Sequence, residues 1–399
     1  MLDASESKQM KQHLSEDAEN FSVVLGGPLF QLLRRAHLSD DSFGMLKRRV
    51  LFISLIAWLP LLIFSVLERN ALNKILPIPF LFDIEIHMRF LLALPLLVYA
   101  EYLVNNRMRP IVRQFSERNL VENPADLEGP VRSAFRLRNS MVAEIILIAI
   151  VYSVGIMVRR EAAVSTSTWY AILKDGKTTW TNAGIWYAYV SLPIFQFILV
   201  RWYFRIFIWG RFLWQISRLK LNLIPTHPDR VAGLGFLGNT VYAFSPILMA
   251  HGVLLSGMIA NRIFFTGATL VAFKLEIFAM ILVLLAIVLS PLLVFAFQLN
   301  QAKRTGLREY GVLAERYVRE FDQKWLRSDT DETFLGSGDI QSLADLGNSF
   351  QVIREMRLAP FTKETIAQLA IVTLIPLLPL VLTMFSLEQL VDRFLGTVF

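Results

Sequence analysis

The chain has no cysteine. Disulfide staples, thiolate nucleophiles and cysteine-held metals are excluded with it. Histidine is scarce, at five in 399 residues. An H-E-x-x-H helix, a G-x-S-x-G elbow, a Cys/His metal spacing and a pair of intramembrane aspartates are all missing. No catalytic centre is legible, so an enzyme is not expected and no cofactor is implied. The first twenty residues carry no apolar core and read as a solvated, disordered cytoplasmic tail (1–20), not a cleavable signal.

Apolar residues dominate instead. The chain is 54% hydrophobic and 12% aromatic, with the apolar residues in long runs. A helix needs about 20 apolar residues to cross a ~30 Å hydrocarbon layer. Seven runs meet that length: Val50–Leu67, Met88–Val104, Met141–Val158, Trp186–Ile208, Val241–Ala260, Leu275–Phe297 and Thr365–Phe385. The net charge is +7. Of the 40 Lys and Arg, 28 fall before span one or in the loops two–three, four–five and six–seven, and 10 fall on the opposite side. Positive charge stays cytoplasmic, which sets the N-terminus inside and the C-terminus outside. The basic loops are then topology signals and contacts to membrane lipid. Nucleic acid is not an expected partner.

The expected fold is an all-α membrane protein of seven transmembrane helices. Spans one to six occupy 21–298, a cytoplasmic helical extension 299–363, and the seventh span with the C-terminal segment 364–399. Within "GGPLFQLLRRAHL", Pro28 starts a short amphipathic helix that lies on the inner membrane surface. The segment 168–181 holds Asp175-Gly176 between aromatic and β-branched residues, and predicts a periplasmic β-hairpin with Lys174 opposite Lys177. Span four runs into seven aromatics, Trp202 to Trp214, interleaved with arginine, which is an interfacial belt. After span six, Leu307, Tyr310, Leu313, Tyr317, Phe321 and Trp325 recur at helical spacing, as do Ile340, Leu343, Leu346, Phe350 and Ile353. Six of the seven runs carry proline, and Gly155 stands in the other.

The cytoplasmic stretch "PTHPDRVAGLGFLG" spells G-x-G-x-x-G behind a His-Pro-Asp-Arg tetrapeptide. A dinucleotide cradle needs a βαβ unit around it, and here an aromatic helix precedes and a span follows. A cochaperone J-domain loop is set aside too, because its soluble domain is missing. The plainer reading is a helix start, with Thr226 as cap and Asp229 reaching back to the first amides. A ligand or gate role for His227, Asp229 and Arg230 is the alternative. Gly252, Ser256 and Ala260 form a small-residue stripe down span five. Together with "GGPLFQLLRR", "AWLPLLIFSVLE", "SLPIFQF", "ANRIFF", "GLREYG", "GDIQSLADL" and "MRLAPF", the stretch resembles a family of uncharacterised bacterial multi-pass membrane proteins, over about Gly26 to Phe385. The resemblance implies a bacterial inner membrane and carries no mechanism.

Ionisable groups inside a span cost roughly 2.5–3.5 kcal/mol each on insertion scales, so each needs a partner or a purpose. Glu101, Glu144, Arg201 and Arg205 fall at similar depth near the inner ends of spans two, three and four. They are expected to form a charge cluster at an inner mouth, against the plainer reading of snorkelling or purely structural pairs. His251 and Gln196 fall near the midplane, where a hydrogen-bonded neutral histidine competes with a proton relay. Asp83, Glu85 and His87 at the outer end of span two offer only a weak cation site. These residues point to a channel or transporter for an ion or small solute, with a second copy of the chain as a possible partner. The alternative is a scaffold or sensor acting through 299–363.

Overall fold

The computed structural model describes residues 21–35, 44–73, 75–162, 168–174, 177–328, 333 and 336–384. The expected tail (1–20), the Asp175-Gly176 turn and residues 385–399 lie outside them.

Among the described residues, six helices are long and apolar enough to cross a membrane. They are α2 (Leu46–Leu67), α3 (Ile84–Glu117), α6 (Asn182–Ile216), α7 (Gly235–Thr266), α8 (Leu270–Leu293) and α11 (Lys363–Met384). They match spans one, two, four, five, six and seven of the sequence reading. The third run lies in α5 (Met141–Ala162), of which Met141–Ser153 is the apolar part with described side chains. The remaining helices are α1 (Pro28–Arg35), α4 (Glu128–Arg138), α9 (Ala296–Leu326) and α10 (Gly338–Arg354).

Proline shapes the spans. It has no N–H for the carbonyl four residues back, and its ring crowds that carbonyl. In α3 a wide π turn, Met88–Ala93, stands just ahead of Pro95, and in α6 another, Tyr187–Ser191, stands just ahead of Pro193. In α11, Pro376 sits in a 3₁₀ turn, Ile375–Leu377. Such wider and tighter turns are where helices absorb a lost bond.

The centre of the bundle is α7. In its most apolar window 67% is buried, against 17% for α2. It packs on α3 and α11, while α6 packs on α5, α8 and α4. Small residues make the α7 contacts possible. A Cβ on Gly252 would stand 2.1 Å from the Thr373 carbonyl oxygen, and the Ser256 hydroxyl donates to the Pro376 carbonyl at 2.7 Å. The small-residue stripe read from the sequence thus packs against α11.

Strands β1 (Ala171–Lys174) and β2 (Lys177–Trp180) form the expected hairpin, with Lys174 paired to Lys177. Thr181 then caps α6, its hydroxyl accepting the Gly184 N–H at 2.9 Å. At the other end, α9 follows α8 after a short break and pairs with α10. Asp339 ties them, accepting from Lys324 Nζ at 3.0 Å and Trp325 Nε1 at 3.1 Å. The pairing is looser than the periodicity predicts, since Leu313 is 47% exposed.

Candidate functional site

The four charges expected within the spans do come together. Glu101 on α3 accepts Arg205 Nη1 from α6 at 2.7 Å. Glu144 on α5 lies 3.4 Å from Arg201 Nη2 on α6. Arg201 and Arg205 share a face because they are one turn apart. All four are buried or nearly so, and the Arg205 guanidinium lies 4.7 Å over the Trp202 ring.

Two members were not read from the sequence. Arg49, at the first turn of α2, is 2% exposed and pairs with Glu101 at 2.6 Å. Arg138 closes α4 beside them, and burial and then the Arg205 charge pull its pKa down to about 10, so it remains charged at neutral pH. Both were read as topology signals, because each stands just outside an apolar run.

The third missed feature is the chain's own N-terminal segment. Residues 21–27 are threaded into the cluster. Phe21, Val23 and Val24 are at most 2% exposed, and Phe21 packs on Phe212 and Phe135 with ring centroids 4.7 and 5.9 Å away. Three guanidinium groups grip alternate carbonyls. Arg138 donates to Ser22 O at 2.6 Å, Arg205 to Val24 O and Arg201 to Gly26 O, each at 3.4 Å. Glu144 Oε2 accepts the Leu29 N–H at 2.9 Å, capping α1 from outside at the end where helix dipoles favour anions. The glycine pair makes this fit possible. Gly26 and Gly27 have φ of +137° and +89°, and a Cβ on Gly27 would stand 2.9 Å from the Arg138 carbonyl oxygen. The helix expected from Pro28 is present, and the segment leading into it is threaded into the charge cluster.

His251 and Gln196 are not brought into contact by any hydrogen bond. Instead His251 Nδ1 bonds the Ile247 carbonyl at 2.7 Å, and Nε2 meets the Tyr203 hydroxyl at 2.6 Å. Nδ1–H donates, since a carbonyl only accepts, and in the neutral ring Nε2 then accepts from Tyr203. Both ring nitrogens are engaged within the protein. Gln196 keeps one buried amide oxygen without a hydrogen-bond partner.

The His-Pro-Asp-Arg loop departs from the expected helix start. No helix begins at Thr226, and α7 opens as a 3₁₀ turn at Gly235. Asp229 is the organiser. Its Oδ1 accepts Val231 and Gly233 N–H at 2.9 and 3.1 Å, and its Oδ2 accepts Gly235 N–H at 2.8 Å. Burial pushes its pKa up, but the N–H groups of Val231, Gly235 and Gly233 outweigh it and hold the carboxyl below its ordinary value. A phosphate-binding glycine loop offers such amides to its ligand, and here the protein's own carboxylate takes them. The glycines answer to packing: φ is +97° at Gly233, and a Cβ on Gly238 would stand 2.3 Å from the Pro360 carbonyl oxygen. His227 sits 2.9 Å from Asp229, beside a cavity of about 530 Å³ bordered by Arg118 and Asn222. Arg230 pairs with Glu355 at 3.1 Å, and Arg357 donates to the Asp229 carbonyl at 2.9 Å, which clamps the loop to the end of α10.

At the N-terminal end of α3, Asp83, Glu85 and His87 do not converge. Asp83 accepts from Trp169 Nε1 at 2.8 Å and Asn261 Nδ2 at 2.9 Å, Glu85 pairs with Arg89, and His87 accepts from Trp58 Nε1 at 2.9 Å. No group of three metal-ligating side chains forms among the described residues.

Comparison with known protein families, with curated proteins and with solved structures returns no match for this chain. The six apolar helices among the described residues mark a multi-pass membrane protein, and the buried charge cluster is the place where a function has to be sought.

Proposed function

We propose that this is a seven-span protein of a bacterial inner membrane, N-terminus inside and C-terminus outside, that conducts or transports an ion or small solute. Residues 21–27 are the plug that holds it closed. The observation that carries the reading is the grip of Arg138, Arg205 and Arg201 on the carbonyls of Ser22, Val24 and Gly26. The segment is held by hydrogen bonds to charged side chains, which water or a solute can replace. Charge adds a preference: Arg49, Arg138, Arg201 and Arg205 stand against Glu101 and Glu144. With the plug withdrawn, the excess positive charge faces the pathway and favours an anion.

The test is current across a planar bilayer under a KCl gradient. A variant lacking residues 1–27 is expected to carry more current than the whole chain, with a reversal potential toward chloride. No current from either form, both monodisperse, would sink the reading. A second reading rests on the helical extension. Val312, Val318 and Leu326 are 58%, 50% and 72% exposed on α9, which suits a docking face for a second copy or another partner. Under it, Val312→Asp changes the oligomeric state by light scattering, and removal of residues 1–27 leaves the bilayer silent.

A further inference from the structure

A groove of about 640 Å³ runs between α6 and α8. Tyr203, Phe207, Gly210, Arg211 and Trp214 line it from α6, and Pro291 is part of its α8 wall. From Tyr203 to Trp214 the helix rise gives a length of about 16 Å. That is close to half of the ~30 Å hydrocarbon layer, about the length available to one leaflet's acyl chain. Its floor is where the two helices meet, at Gly210 and Pro291. A Cβ on Gly210 would stand 3.6 Å from Pro291 Cγ, in ordinary van der Waals contact. Its walls are exposed, with Phe207 at 58% and Trp214 at 45%.

The two ends differ. The Tyr203 end is uncharged, and the Tyr203 hydroxyl is occupied by His251. The other end is basic. Arg211 is exposed and has no acidic partner among the described residues, and Arg218 lies 5.4 Å over the Trp214 ring. An apolar slot one leaflet long, with guanidinium and indole at its mouth, matches an acyl chain below an anionic headgroup. We propose that this groove binds an anionic phospholipid of the leaflet at the Arg211 end, with its phosphate on Arg211 and one acyl chain along Phe207 and Gly210. The site is separate from the plugged inner mouth and does not depend on transport.

The full chain is placed in mixed micelles with equal phosphatidylglycerol and phosphatidylcholine, and retained lipid is counted by native mass spectrometry. The whole protein is expected to retain phosphatidylglycerol in preference. Arg211→Ala lowers that preference about fivefold, the effect of one basic residue near an anionic surface, and Arg211→Lys keeps most of it. Ser290→Trp, a filling substitution on the exposed α8 wall, lowers retention of both lipids. Equal retention of the two lipids by the unaltered protein overturns the proposal. So does an unchanged preference in monodisperse Arg211→Ala, whatever Ser290→Trp does.

Discussion

Glu101 is the residue on which the buried charge cluster depends. It receives Arg49 at 2.6 Å and Arg205 at 2.7 Å. Glu101→Gln leaves two buried guanidinium groups without their carboxylate, a change that costs about 3–5 kcal/mol. A clear fall in melting temperature in detergent is expected. Glu144→Gln should lose less, because its pair is longer, at 3.4 Å, and an amide oxygen still accepts the Leu29 N–H. Equal losses would mean that the two carboxylates are not ranked by their pairing. Asp229 gives a pH-dependent case. Its folded pKa lies below the ordinary 3.8, so its stabilisation is full above 3.8. It fades as pH falls through the folded value. Asp229→Asn strands at least one backbone N–H, costing about 1–3 kcal/mol. The substituted protein is expected to melt lower at pH 7 and to lose the Asp229 part of its acid sensitivity. Glu101, Glu144, Arg201 and Arg205 were legible because charge inside an apolar run is conspicuous. Arg49 and Arg138 were not, because charge beside a run has an ordinary explanation in topology.

Among the elements, the segment 21–27 separates what pattern reveals from what it hides. Pro28 marks the start of α1 correctly, since a missing N–H is harmless in a first turn. The periodic face after it suggested a surface helix, and nothing local reports that Phe21 will stack on Phe212. The two residues are 191 positions apart, a distance that neither period nor propensity measures. The glycine pair was the available signal: two consecutive glycines before a helix permit positive φ, and both adopt it. The Asp229 loop failed in the same way, because a side chain can satisfy amides without starting a helix. The plug is testable through this strain. Gly27→Ala places a Cβ at φ +89° and 2.9 Å from the Arg138 carbonyl oxygen, at a cost of about 1–3 kcal/mol. The chain has no cysteine, so Val24→Cys, at a position 2% exposed, is a clean reporter. Its maleimide labelling is expected to be slow, and roughly fivefold faster or more when Gly27→Ala is added. An unchanged rate would make the segment a fixed part of the wall.

For the molecule as a whole, run length was enough to find the six helices long and apolar enough to cross among the described residues, because a bilayer demands a fixed length of apolar helix. Run length does not say which helices touch. The centrality of α7 comes from small residues, Gly252 and Ser256 against α11 and Gly257 against Met88 of α3. Small residues read as permissive without naming a neighbour. Orientation is the property of the whole chain that every functional reading shares. The clamp between the Asp229 loop and α10, through Arg230 with Glu355 and Arg357 with the Asp229 carbonyl, puts two basic loops on the same side. The hairpin must then lie on the opposite side if α6 and α7 both cross. Two exposed positions test this in the cysteine-free background: Thr179→Cys on β2 and Glu320→Cys on α9. With an impermeant maleimide added to intact cells, Thr179→Cys is expected to label and Glu320→Cys to label only after the membrane is opened. The reverse pattern would invert the protein and move its plugged mouth to the outer face. Labelling of both positions from outside would mean that the helices between them cross an even number of times, and that one of α6, α7 and α8 is the run to reconsider.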